Sequence, residues 1–194
     1  MGNGIKEVVF ILDRSGSMQP LTQSTIEGFN SMIEENLMYP GKALVTTVLF
    51  NQEMETIYSR RPIEEVPELN RQNYIAEGRT ALLDAIGETI TAVREQQNSV
   101  PEDEKPEKTL LVITTDGREN ASRHFTLESI RSMLDWLQES GNWQVDFYGT
   151  SLETMRDAER IGIKRDRYVH YDMNEDGVRS CYRSRSKKLK DFLD

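Results

Sequence analysis

The 194 residues are 37% hydrophobic and 29% charged, a composition suited to one well-solvated domain spanning 1–194 that buries its core without disulfides. A formal net charge of -9 repels phosphate and argues against a nucleic-acid partner, while no apolar run approaches the ~20 residues that cross a bilayer. The single cysteine, Cys181, cannot close an internal disulfide, and Met1 to Glu7 leads into the first apolar run without a hydrophobic leader, so the expected location is the cytoplasm.

Val8 to Leu12 is a short, continuous, largely β-branched run ending at Asp13, the pattern of a parallel strand buried on both faces. Ile26, Phe29, Ile33 and Leu37 recur at helical spacing until Pro40-Gly41 stops the pattern. Ala43 to Phe50 and Met54 to Tyr58, separated by Asn51-Gln52-Glu53, predict a hairpin and hence an antiparallel edge strand. A polar stretch from Ser59 to Glu77 follows, and then a helix marked by Leu83, Ile86, Ile90 and Val93.

Gln96 to Glu107, with two prolines, reads as a surface loop, and Lys108 to Thr114 as another fully buried strand. The spacing of Leu127, Ile130, Leu134 and Leu137 predicts a helix, Gln144 to Tyr148 a strand, Leu152 to Arg160 a short helix and Arg167 to Tyr171 a last strand. A terminal helix begins near Asn174 and turns Val178, Tyr182, Leu189 and Leu193 to one face. This alternation predicts an α/β fold, a doubly wound and mainly parallel sheet with one antiparallel edge strand and helices on both faces.

Ligands of such sheets bind at the carboxyl ends of the strands, where strand order reverses. Immediately after the first strand stand Asp13-Arg14-Ser15-Gly16-Ser17, and after the central strand Thr115-Asp116-Gly117, whose glycine allows a sharp turn. A third loop, Gly78-Arg79-Thr80, leads into a helix. Asp13, Ser15, Ser17, Thr80 and Asp116 therefore offer two carboxylates and three hydroxyls, oxygen donors of the kind a hard cation selects.

Asp-x-Ser-x-Ser with a later loop Thr and a later Asp resembles the metal-ion-dependent adhesion site (MIDAS) of von Willebrand factor type A domains. The likeness extends along the chain, through DRSGSM, LFNQ, GRTALLDAIG, ITTDGREN and YGTSLETMRDAERIGI, segments similar to those of stand-alone bacterial members. It implies a Rossmann-like fold, direct coordination of one magnesium ion (or manganese or calcium) by Ser15, Ser17 and Thr80, and support from Asp13 and Asp116 through water or hydrogen bonds. Neutral hydroxyl ligands leave the cation's charge largely uncancelled. The implied function is a non-enzymatic interaction module capturing an Asp or Glu carboxylate of another protein, in the company of an ATPase, kinase or phosphatase system.

The competing class is a magnesium-dependent phosphoryl transferase or hydrolase with Asp13 as nucleophile. It lacks a visible general acid and phosphate-gripping lysine, and no G-x-x-x-x-G-K loop occurs. Arg14, Met18, Arg79 and Arg118 flank the cluster and are candidates for partner contact, and Asp84 is either a support for it or a plain helix position. Asp172 to Gly177 mimics the opening of an EF-hand loop but has Arg183 where the bidentate Glu belongs, so a turn and helix cap is expected. His124, His170 and Cys181 form no nucleophile and base pair, and Arg179 to Lys190 reads as a solvated basic face.

Overall fold

The computed structural model describes residues 4–38 and 43–194. Among them six strands form one sheet in the order β3-β2-β1-β4-β5-β6. β1 (Lys6–Asp13) and β4 (Lys108–Thr114) lie side by side at its centre, flanked by β2 (Ala43–Phe50) and β5 (Trp143–Gly149). The edges are β3 (Met54–Pro62) and the three-residue β6 (Tyr168–His170). β3 pairs antiparallel to β2 while all other pairs are parallel, which is the architecture expected from the alternating pattern.

Both faces of the central strands are covered because successive side chains point to opposite sides. Val8, Phe10 and Leu12 join Leu110 and Val112 under α1 (Thr22–Glu35) and α5 (Glu175–Leu193). Val9 and Ile11 join Leu111 and Ile113 under α2 (Leu82–Ser99), α3 (Leu127–Glu139) and α4 (Leu152–Arg160). α1 and α5 approach so closely that a Cβ on Gly28 would stand 2.4 Å from the Tyr182 ring. Asn174 caps α5, accepting from the Gly177 amide at 2.8 Å, so Asp172 to Gly177 is the expected turn and cap.

Several boundaries differ from expectation. α1 ends at Glu35, and Leu37, placed on its buried face by spacing, is 41% exposed; the Pro40-Gly41 stop lies outside the described residues. β3 runs past Tyr58 to Pro62 through an irregular register, with Arg60 at φ 48. The irregularity lets the Arg60 guanidinium reach the buried Glu7 carboxylate at 2.8 Å. The polar stretch after it contributes Ile63, Leu69 and Tyr74 to the core, residues too widely spaced to reveal a period. α2 continues to Ser99 into the expected surface loop.

The basic C-terminal stretch is not wholly solvated. Arg185 is 1% exposed, stacked between the Tyr148 and Tyr182 rings at 4.3 and 4.4 Å and donating to Thr114 Oγ1 at 2.7 Å. Aromatic faces take up a delocalised guanidinium better than they would an ammonium.

Candidate metal centre

The strand order reverses between β1, which continues to β2, and β4, which continues to β5. The loops leaving β1 and β4 therefore diverge around a crevice, and it is there that the five residues gather. Asp13 closes β1 at 1% exposure. Its Oδ1 accepts from the Ser15 amide at 2.7 Å and its Oδ2 from the Thr115 hydroxyl at 2.6 Å, while its carbonyl accepts from the Tyr74 hydroxyl at 2.6 Å. The carboxylate thus fixes the loop that carries the serines.

Ser15 Oγ lies 3.2 Å from Ser17 Oγ, and Ser17 Oγ donates to Asp116 Oδ1 at 2.9 Å. Ser15 is buried and Ser17 exposed, so the row of oxygens runs from the interior to the surface. Thr80 approaches from the third loop: a Cβ on Gly117 would stand 3.2 Å from Thr80 Oγ1 and 4.0 Å from Ser17 Oγ. Gly117 thus keeps space clear between hydroxyls, whereas the positive φ, +80, belongs to Gly78. The chain bends at Asp116-Gly117 as expected, and Gly117 serves there by its close approach rather than by a positive φ.

Two acids share this small volume. Burial, and then the nearby Asp116 charge, push the Asp13 carboxyl up to about 6, and burial raises Asp116 as well. Asp116 Oδ2 is buried and has no hydrogen-bond partner. A buried anionic oxygen left without a donor is costly, and either a proton shared with Asp13 or a cation would remove that cost. Among the described residues no group of three or more His, Cys, Asp or Glu is placed to hold a metal, so this hydroxyl-rich set differs from carboxylate or imidazole cages.

Residues outside the five hold the loops together. Asn120 bonds Thr80 in both directions, its Oδ1 accepting from the Thr80 amide at 2.9 Å and its amide donating to the Thr80 carbonyl at 3.0 Å. Asn51 and Gln52 take up Glu77 and Arg79 from the hairpin side, at 3.0 and 2.8 Å, and the Gly16 amide donates to the Gly78 carbonyl at 3.0 Å. Short polar residues beside turns are common, so nothing local distinguished Asn51 or Asn120; only their partners across the crevice do.

The flanking residues divide. Met18 is 3% exposed and belongs to the core, unsuited to partner contact. Arg14 is tied to Glu55 at 2.8 Å; Arg79 and Arg118 stay exposed. Asp84 accepts three backbone amides, from Arg123, Phe125 and His124, at 2.7, 2.8 and 2.9 Å, and so anchors the segment after the Asp116 turn. Burial opposes its ionisation, but these amides outweigh it and hold its pKa below the ordinary value.

A doubly wound sheet with paired acids and three hydroxyls at its switch point defines a Rossmann-like α/β domain. The chain belongs to the von Willebrand factor type A domain family, whose model matches residues 7–182. Its fold is similar to that of the PilB minor pilin from Streptococcus sanguinis (TM-score 0.71, 15% identity, 98% of this chain and 62% of that one). It is also similar to the manganese-loaded Plasmodium vivax TRAP protein (TM-score 0.62, 17% identity, 92% and 72%). A third likeness is to mussel byssus proximal thread matrix protein 1 with a zinc-occupied MIDAS motif (TM-score 0.66, 12% identity, 93% and 46%). The chain thus spans about three fifths of the pilin's length. No curated protein sequence matches it.

Proposed function

We propose that this chain is a metal-dependent interaction module in which Ser15, Ser17 and Thr80 hold one divalent cation, magnesium in the cell, with Asp13 and Asp116 supporting them. A cation bound there supplies a weakly compensated positive charge to which a partner's Asp or Glu can bond. The observation that carries this reading is the orphaned, buried Asp116 Oδ2 beside a row of hydroxyls. The metal-bearing neighbours, one with manganese and one with zinc, support it.

The protein's own groups divide the work. Asp13 spends both oxygens on Ser15 and Thr115 and so orients ligands rather than attacking a substrate. Its 1% exposure disfavours the nucleophile of the phosphoryl-transfer alternative, which needs an accessible oxygen. Ser17 is exposed and Asp116 half-buried beside it, so an incoming carboxylate would arrive at the Ser17 end of the row.

Isothermal titration tests the proposal. Magnesium and manganese are expected to give one-site heats with the natural chain and none with Ser15→Ala. Equal heats in both would refute the assignment, and phosphatase turnover abolished by Asp13→Asn would favour the enzyme.

A further inference from the structure

The rim beyond Asp116 is built differently from the rim beyond Asp13. β5 and β6 follow β4 across the sheet, and the loops leaving their carboxyl ends bring up Leu152, 67% exposed, and Met173, 43% exposed. These are two separate apolar side chains, each open to solvent beside a polar site. Thr150 Oγ1 donates to the Asp116 carbonyl at 2.9 Å, so the start of α4 is bonded directly to the candidate metal centre. Arg118 leans the same way, its Nε 3.9 Å from Asp157 of α4 with the side chain 68% exposed. The hairpin side carries Glu53, Glu55 and Glu77 beside Arg14 and Arg79, and among the described residues Glu55 is paired with Arg14.

Neighbouring strands stand ~4.8 Å apart, and an extended chain advances ~3.3 Å per residue. Leu152 therefore lies one strand and Met173 two strands past Asp116, about one and a half to three residues of an extended segment whose acid sits at the cation. The exposed Arg118, in loose contact with Asp157 at 3.9 Å, and the open side chains of Leu152 and Met173 set the direction.

We propose that the site reads an extended protein segment laid from β1 toward β6: one acid at the cation, a second acid against Arg118, and an apolar side chain on Leu152 and Met173. This rests on the metal-dependent reading above but assigns recognition to residues that hold no metal.

The test is fluorescence anisotropy of the full chain in excess magnesium with fluorescein-labelled octapeptides. The parent probe carries Asp, then Glu, with Leu three residues after the Asp; one variant replaces Leu by Ser and another Asp by Asn. Leu152→Ser, Arg118→Glu and the Leu-to-Ser probe are each expected to weaken binding about tenfold. Ile75→Ser, on the other flank, should leave it unchanged, and magnesium heats should be the same in all three proteins.

If magnesium binds and the Asp is required but Leu152→Ser and Arg118→Glu change nothing, the track is refuted and the metal reading stands. Failure of the parent probe to bind the magnesium-loaded chain also refutes the track. Probe binding that depends on Leu152 and Arg118, in a chain that gives no magnesium heat, sinks the metal reading and with it the acid at the cation, and upholds only the Arg118 and apolar contacts.

Discussion

At the scale of single residues, the chemistry turns on Asp13. Its folded pKa of about 6 lies above the ordinary carboxyl value of 3.8, so between these the metal-free folded chain binds a proton that the unfolded chain has released. Stability from this group is therefore fully present below 3.8 and is lost as pH rises through about 6. The same proton competes with a cation, and magnesium affinity is expected to fall as pH drops below about 6, measured by titration calorimetry across that range. Asp13→Asn removes the buried charge yet keeps its bonds, because the new amide can donate to Thr115 Oγ1, whose own proton has the Gly117 carbonyl at 3.1 Å. In chelator above pH ~6 this variant should melt higher than the natural chain, and its melting should not respond to magnesium. Gly117→Ala, with a Cβ 3.2 Å from Thr80 Oγ1, should fold normally and bind magnesium at least tenfold more weakly, by the same calorimetry.

Elements bring these residues together through clasps between loop and helix. The first turn of α2 places its Leu83 and Asp84 amides on Glu119 Oε2 and Ser122 Oγ, at 2.9 and 3.0 Å, while Asp84 takes up the three amides that follow. Asp84→Ala should cost ~1–3 kcal/mol in denaturant unfolding, since three donors lose a charged acceptor. Its pKa is lowered, so this contribution is present above the ordinary carboxyl value and disappears as pH falls through the folded one. On the other face, Gly28→Ala forces α1 and α5 apart at the Tyr182 ring and should destabilise by ~1–3 kcal/mol. Neither residue touches the crevice, so cation affinity at neutral pH in the folded state should hold in Gly28→Ala.

For the molecule as a whole, binding and folding are coupled at the switch point. The central strands are buried on both faces and make a rigid floor, while the loops above it gather two acids whose charge opposes folding. A cation present at ~100 times its Kd should add about 2.7 kcal/mol of stability, read as a higher melting temperature that Ser15→Ala does not show. No helix among the described residues is long and apolar enough to cross a membrane.

The order of elements was legible in the chain alone because doubly buried strands are continuous apolar runs and covering helices carry a 3.6-residue period. Asp13, Ser15 and Ser17 were legible for a similar reason: they sit at fixed spacing directly after such a run. Thr80 and Asp116 stood in two further loops, and the Asp13-Ser15-Ser17 spacing had meaning only with them. What tertiary structure alone decided was whatever depends on contacts far along the chain. Burial of Met18 and Arg185, the clasp of Asn120 on Thr80 and the drift of Arg60 toward Glu7 leave no local period. Sequence determines which segments can bury a face; only packing determines which polar groups are carried inside with them and must find partners there.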